Sequence, residues 1–115
     1  MLKSRLTSVS LRGLVQVDGK AVAAMAVACS GSLRSLDLKG LALVTDITMV
    51  ALARYCSSSL ESLDLSFCRA VTDDGLGHLV DSSPNLKSLR LWGCTQVTDR
   101  FLKGHSREEL AISRY

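Results

Sequence analysis

The sequence predicts an α/β solenoid made of about four stacked strand–turn–helix units. Three observations predict it: a pattern that recurs every 26 or 27 residues, a change from strand spacing to helical spacing within each copy, and a scarcity of aromatic residues. The chain has 115 residues, of which 47% are hydrophobic and 4% are aromatic. A core built from aliphatic side chains and cysteine suits thin stacked layers better than a compact bundle.

The strand segment of each copy carries leucine at fixed spacing. Copies begin at Leu6, Leu33, Leu60 and Leu86, and each reads L-x-x-L-x-L, with Val9 in the second place of the first copy. This motif at this period is typical of leucine-rich repeats. Because side chains alternate along a strand, the last two motif positions should point inward together.

Two more inward positions follow each strand, and a helix then begins. The inward positions are Leu14, Leu41, Cys68 and Cys94, and three residues later Val17, Val44, Val71 and Val97. The helix starts are Thr45-Asp46, Thr72-Asp73 and Thr98-Asp99, with Asp18-Gly19 in the degenerate first copy. A Thr or Asp oxygen can accept the unpaired N–H groups of the first helical turn, and a carboxylate there favours the helix dipole.

Apolar residues at offsets of three, four and seven predict one buried face on each of the first three helices. These residues are Val22, Met25, Ala26 and Cys29, then Met49, Leu52, Ala53 and Cys56, then Leu76, Leu79, Val80 and Ser83. One copy cannot bury this face alone, so the copies must stack. We expect a right-handed β–α horseshoe segment with a parallel sheet on the concave face and helices on the convex face.

The repeat pattern predicts a single leucine-rich-repeat domain over 1–115. Its repeats span approximately 6–32, 33–59, 60–85 and 86–105, and 106–115 form a degenerate C-terminal cap to which Leu110-Ala111-Ile112 adds a short strand. Gly104 and His105 interrupt the fourth helix, and Pro84-Asn85 end the third. The first strand begins almost at once and leaves an open edge. We therefore expect that the chain is a piece of a longer array or a shortened relative of one. In isolation it should be marginally stable or should self-associate through this edge.

Composition and charge favour neither nucleic acid nor a membrane as a direct partner. The 14 Lys and Arg residues are interspersed with 11 Asp and Glu residues, unlike the basic stripe of a nucleic-acid binder. The longest apolar stretch, near 21–29, is too short to cross a bilayer, and 1–5 lead into no signal-peptide core. We expect a cytoplasmic and/or nuclear location.

Catalytic and cofactor chemistry find no support in the sequence. There is no Gly-rich phosphate loop, no metal-binding motif and no activated nucleophile set, so we expect neither an enzyme nor a bound cofactor or metal. The four cysteines recur with the repeat and include no C-x-x-C pair. We expect them to be buried and reduced, with Cys29 beside Cys56 and Cys68 beside Cys94.

The copies at 60–73 and 86–99 extend the pattern to L-x-x-L-x-L-x-x-C-x-x-V-T-D. They resemble the cysteine-containing leucine-rich repeats of F-box proteins, and the resemblance covers roughly 6–101. It implies a horseshoe segment that captures a protein substrate for an SCF/cullin-type ubiquitin ligase, or that binds another subunit of the ligase complex. No F-box precedes the repeats in this sequence, so the chain alone is not expected to dock onto a ligase adaptor.

A second, narrower resemblance lies in 93–106. This stretch is similar to the C-terminal end of plant relatives of the yeast leucine-rich-repeat subunit that acts in nucleotide excision repair. That subunit also belongs to a cullin-type ligase, so the resemblance again implies ubiquitin transfer. A stand-alone leucine-rich-repeat adaptor that uses the same surface without ubiquitin is the alternative.

The residues between the inward leucines should face the concave surface in three ladders. These are Ser8, Ser35, Ser62 and Ser88; Ser10, Asp37, Asp64 and Arg90; and Arg12, Lys39, Ser66 and Trp92. The small serines should leave room for a partner to approach. The predicted protein-binding residues are Asp37, Lys39, Asp64, Ser66, Arg90 and Trp92.

Two of these predictions leave alternatives open. Adjacent strands lie ~4.8 Å apart, so the like charges of Asp37 and Asp64 should be unfavourable side by side. Either a basic group of a partner or Arg90 of the same ladder should relieve them. Trp92 is either an anchor for a partner, since Trp is enriched at binding hot spots, or a cover for the C-terminal end of the stack.

Overall fold

The computed structural model describes residues 5–114, which form four strand–helix units followed by a last strand. The strands are β1 (Ser8–Ser10), β2 (Ser35–Asp37), β3 (Ser62–Asp64), β4 (Ser88–Arg90) and β5 (Ala111–Ser113). The helices are α1 (Gly19–Ala28), α2 (Asp46–Cys56), α3 (Asp73–Ser82) and α4 (Asp99–Gly104). The predicted short strand after the fourth helix is therefore present, and the fourth helix ends at Gly104 as predicted.

The five strands form one parallel sheet in chain order. Equivalent residues are paired across neighbouring strands, so that Leu36 lies opposite Leu63 and Leu63 opposite Leu89. Helices pack in the same order, α1 on α2, α2 on α3 and α3 on α4. β1 lies at one edge of the sheet, where the sequence predicts pairing with a second copy; that pairing stays a prediction.

The core lies between the sheet and the helices. Every inward leucine of the second, third and fourth copies is buried, and so are all eight predicted face residues of α2 and α3. The first copy is different, because Leu14 is 53% exposed although the pattern predicts burial. Val17 is only partly buried. The prediction for Leu14 is wrong because burial in a solenoid requires a layer on each side, and no described layer covers the outer side of the first copy.

Two of the helices, α2 and α3, begin with a carboxylate that links their repeat to the next one. Asp46 accepts hydrogen bonds from the Thr72 backbone N–H at 2.8 Å and from the Thr72 hydroxyl at 2.5 Å. Asp73 makes the same two bonds with Thr98, at 2.7 Å to the N–H. The Thr-Asp pair therefore acts across the repeat joint as well as within its own helix, a role that the capping argument did not predict.

Arg107 fixes the segment that leads into β5. Its guanidinium donates to the carbonyl of Ser83 and, at 2.9 Å, to that of Leu86. The side chain is 14% exposed and also pairs with Glu109 at 2.9 Å. The predicted cap is thus held by an arginine bound to backbone carbonyls as well as by strand pairing.

Candidate protein-binding face

The solvent-facing side of the sheet, here called the concave face, carries the predicted ladders in register. Ser10 lies opposite Asp37, Asp37 opposite Asp64, and Asp64 opposite Arg90. The strand pairing extends the same ladder to Ser113 of β5. The ladder therefore runs across the whole sheet and places two acidic side chains beside one another, as the repeat predicts.

Arg12 relieves the repulsion between the two carboxylates. Its Nε donates to Asp37 Oδ2 at 2.8 Å, and its NH2 group lies 3.6 Å from Asp64 Oδ2. The expectation that Arg90 does this is wrong, because the neighbouring Arg12 of the first copy already spans both acids. The alternative of a basic partner group stays a prediction. Among residues 5–114, Arg90 forms no ion pair and is exposed.

The remaining oxygen of each carboxylate closes the turn that follows its strand. Asp37 Oδ1 accepts the Lys39 N–H at 3.0 Å, and Asp64 Oδ1 accepts the Ser66 N–H at 2.9 Å. Such a bond to the backbone two residues on is the usual local role of aspartate in a turn. Both acids are therefore occupied within the chain and are weak attractors for a cationic ligand.

A hollow of about 360 Å³ lies at the ends of the strands on the concave face. Five of the six predicted residues line it: Lys39, Asp64, Ser66, Arg90 and Trp92. Arg12 and Phe67 complete its wall. Asp37 lines a smaller hollow of about 220 Å³ that shares Arg12, Asp64 and Arg90 with the first. The structure therefore brings the predicted residues together on one surface, with Asp37 at its margin.

Ser66 does not offer the open surface that strand alternation predicts. Its side chain lies at the floor of the hollow, and the residue is only 2% exposed. The Ser66 Oγ accepts the Trp92 N–H at 3.2 Å, which ties the third copy to the fourth. Its equivalents Arg12, Lys39 and Trp92 lie in the same turn of their copies and are not buried. Ser66 differs because its short side chain stays beneath the fourth copy, where it accepts the Trp92 N–H.

Phe67 is the residue of this site that the ladders missed. It is 43% exposed and has a φ of 62°, in the left-handed region. The corresponding positions of the other three copies are Gly13, Gly40 and Gly93, with φ of 75°, 82° and 69°. An aromatic residue that replaces glycine at such a position is an outlier, and such outliers cluster at functional sites. The loss of glycine in the third copy alone is the sequence signal that marks it.

The ring of Phe67 joins the neighbouring copies on the concave face. It lies directly over Gly93, where an added Cβ would overlap the ring atoms Cδ1 and Cε1. On the other side, Lys39 Nζ lies 5.7 Å from the ring centroid, within the range of a cation–π contact. Together with Trp92, which is 45% exposed, the ring gives the hollow an aromatic rim.

The cysteines are buried structural residues on the inner side of the repeats. All four are free thiols. The Sγ atoms of Cys68 and Cys94 donate to the carbonyls of Leu38 and Leu65 in the preceding copy, at 3.1 and 3.0 Å. Burial raises the pKa of the Cys56 thiol and that of the Cys68 thiol to about 11, and raises the pKa of Cys94 as well. The thiols of Cys56, Cys68 and Cys94 are therefore protonated at neutral pH and are poor ligands or nucleophiles.

Residues 5–114 contain no cluster of three or more His, Cys, Asp or Glu side chains with the geometry to hold a metal ion. His78 is exposed on α3. The His105 ring instead packs against Phe101, with 5.5 Å between the ring centroids.

No helix within residues 5–114 is long and apolar enough to cross a bilayer.

Comparisons with known proteins agree with the repeat architecture. Residues 56–80 match the model of a family described as a leucine-rich repeat. A solved structure of the yeast Rad7 and Elc1 complex contains a chain that is similar with a TM-score of 0.79 and 33% identity. That similarity covers 90% of the present chain and 24% of the yeast chain, so the present chain spans about a quarter of its length. A search of curated proteins gave no match. The fold is an α/β leucine-rich-repeat solenoid.

Proposed function

We propose that this leucine-rich-repeat chain recognises a protein for an SCF/cullin-type ubiquitin ligase, with the concave face as the contact surface. The observation that carries the proposal is the similarity to a chain of the yeast Rad7 and Elc1 complex across 90% of the sequence at 33% identity. The resemblance of the repeats to those of F-box proteins points to the same class of assembly. We further propose that the protein acts in the cytoplasm or the nucleus.

The residues proposed to make the contact are those of the aromatic hollow and its margin. Asp37, Lys39, Asp64, Arg90 and Trp92 stay in the proposal from the sequence, and Phe67 joins them. The two acids contribute by holding Arg12 and the turns in place, and the other four residues are the ones proposed to touch the partner. Ser66 has a supporting role, because its buried hydroxyl holds the Trp92 backbone in place. Aromatic and arginine side chains in a partly enclosed site are the residue types that dominate binding energy at protein interfaces.

The second candidate function is the stand-alone adaptor, which uses the same face without a link to ubiquitin. The similarity to the repair subunit in 93–106 favours the ligase over the adaptor. If the repair setting is correct, the ligase would be one that acts in nucleotide excision repair. Both candidates place the contact on the concave face, so they differ only in which proteins assemble with the chain.

An affinity purification from cells of the source organism separates these alternatives. The tagged wild-type chain is compared with a Phe67→Gly, Trp92→Ala double variant and with an Ile47→Ser control, since Ile47 is 81% exposed on α2 away from the concave face. Bound cullin and ubiquitin-conjugated proteins are then measured by immunoblotting and mass spectrometry. Circular dichroism melts of the three proteins show whether the variants stay folded.

The ligase proposal expects ubiquitin-conjugated proteins with the wild type and the Ile47 control, and their loss with the concave-face variant. Cullin is expected only where the chain binds a subunit of the ligase complex, because the chain alone is not expected to dock onto a ligase adaptor. Partners that depend on the concave face but include neither cullin nor ubiquitin-conjugated protein would contradict the ligase and support the adaptor. Partners that are equally abundant with all three proteins would contradict the concave face as the contact surface.

A further inference from the structure

We infer that the aromatic hollow binds an extended peptide segment in which an apolar side chain is flanked by carboxylates. The inference rests on the proposed function, because it gives the chemistry of the partner that the concave face would recognise. It takes the hollow lined by Lys39, Phe67, Arg90 and Trp92 as the contact point. The occupant is a loop or tail of a partner protein with acidic residues around one large apolar residue.

The apolar part of the peptide follows from the two exposed aromatic rings. Phe67 and Trp92 are 43% and 45% exposed, and both line the same hollow. Keeping a non-glycine residue in the left-handed region carries a steric penalty, because its Cβ comes too close to the following carbonyl oxygen. Phe67 bears this penalty although its ring is not part of the buried core. An exposed ring held in place against that penalty is suited to contact with an apolar group from outside.

The acidic part of the peptide follows from the charges around the hollow, because among the described residues its carboxylates are already paired and two of its cations are not. Arg12 neutralises Asp37 and contacts Asp64, and the same two carboxylates also accept turn N–H groups. The positive charges of Lys39 and Arg90 have no such carboxylate partner within residues 5–114. The local charge available to a ligand is therefore positive, the reverse of what the Asp37–Asp64 pair suggests in the sequence.

The size of the hollow suits the entry of one side chain from an extended peptide better than contact with the flat surface of a folded partner. Its volume of about 360 Å³ is at the small end of the range for ligand pockets. Its floor contains the buried Ser66, and its rim carries Arg90 on one side and the Lys39–Phe67 contact on the other. An apolar side chain that enters the hollow would bring its flanking backbone positions near both cations. Carboxylates at those positions would complement the charge of the rim.

A selection from random peptides tests this chemistry whatever the identity of the natural partner. A phage-displayed library of twelve-residue peptides is selected on the immobilised wild-type chain, and enriched sequences are read by deep sequencing. Synthetic versions of the enriched peptides are titrated by fluorescence polarisation against the wild type, Arg90→Glu and Phe67→Gly. Arg54→Glu is the matched control, because it makes the same charge change at an exposed site on α2.

The expected result is enrichment of peptides with two or more carboxylates around an aromatic residue, leucine or methionine. Their affinity should fall about tenfold or more in Arg90→Glu and in Phe67→Gly, and should stay within about twofold in Arg54→Glu. Enrichment of basic or uncharged peptides that still require Phe67 would overturn the acidic chemistry and leave the concave face as a binding surface. Absence of any enriched binder would overturn the inference. Peptides that bind all the variants equally would overturn it together with the concave-face assignment.

Discussion

The Phe67 ring lies over Gly93, and the space above that glycine is filled by the aromatic side chain of the preceding repeat. Both residues have left-handed backbone, with φ of 62° and 69°. The two positions are equivalent in successive copies, so the third copy bears the side chain and the fourth provides the space for it. The packing of the Phe67 ring on Gly93 forms part of the rim of the aromatic hollow.

Replacing Gly93 with alanine should destabilise the protein through both its backbone and the Phe67 ring. We expect Gly93→Ala to lower the free energy of unfolding by about 2 kcal/mol, of which roughly 1 kcal/mol comes from the left-handed backbone. In a Phe67→Gly background only the backbone part should remain. The measurement is urea unfolding of the single and double variants.

Gly40→Ala, made with and without Phe67→Gly, is the control for the Gly93 variants. Gly40 has a φ of 82°, but a Cβ there would meet no described atom within 4 Å. Its substitution should therefore lose only the backbone part, about 1 kcal/mol, whether or not Phe67 is present. Equal losses for Gly93→Ala with and without Phe67 would show that the ring does not pack on Gly93 in solution.

Removing the Asp46 carboxylate should weaken the joint between the second and third repeats. The side chain accepts both the N–H and the hydroxyl of Thr72, so Asp46→Ala should cost about 1–2 kcal/mol of unfolding free energy. Asp74→Ala is the control, because Asp74 lies at the start of α3 with its side chain 77% exposed, and within residues 5–114 its carboxylate forms an ion pair with Arg100 and makes no bond to Thr72 or Thr98. If both variants unfold at the same urea concentration, the inter-repeat bonds contribute nothing.

Substituting Arg12 should uncover the repulsion between Asp37 and Asp64. The Arg12 side chain is 52% exposed, so we expect Arg12→Met to cost only about 0.5–1 kcal/mol. Screening predicts that this difference from wild type shrinks as the salt concentration is raised from 0.05 M to 1 M. A difference that does not change with salt would mean that Arg12 acts through packing and not through its charge.

The buried thiols should make stability fall in mildly alkaline solution. Burial raises the pKa of Cys68 from 9.0 to about 11, so the folded state holds a proton that the unfolded state releases. This contribution is complete below pH 9 and is lost as the pH rises from 9 to 11. Between pH 8 and pH 10 the loss is about 1 kcal/mol for each such thiol.

A cysteine variant isolates this effect from the titration of lysine and tyrosine. Urea unfolding of Cys68→Ala should show a smaller loss between pH 8 and pH 10 than the wild type, by about 1 kcal/mol, although the variant is less stable at both values. Identical pH dependence in the two proteins would contradict the raised pKa of Cys68.

The repeat period was enough to predict the fold and most of the core. Leucine spacing set which side of each strand faces inward, because a shift by one residue would expose every leucine at once. The pattern failed at Leu14, since it describes a repeat with neighbours on both sides and the first copy has only one described neighbour. Stacking context, not the motif, decides burial at the end of a solenoid.

The candidate site was predicted less completely, because its chemistry depends on contacts between copies. Alternation placed Arg90 and Trp92 on the exposed face but could not show that Arg12 would occupy the two acids. It also placed Ser66 on the surface, although that short side chain is buried where it accepts the Trp92 N–H. Phe67 escaped the ladders because it replaces a glycine of the turn and does not belong to a strand position.

The proposed contact between the concave face and a protein partner is tested most directly by site-specific photocrosslinking. A benzoylphenylalanine is placed at Trp92 in one protein and at Ile47, on the helical side, in another, and both are irradiated in cells of the source organism. We expect a covalent adduct with a partner protein from position 92 and none from position 47. Adducts from position 47 alone, or the same adducts from both, would contradict recognition through the concave face.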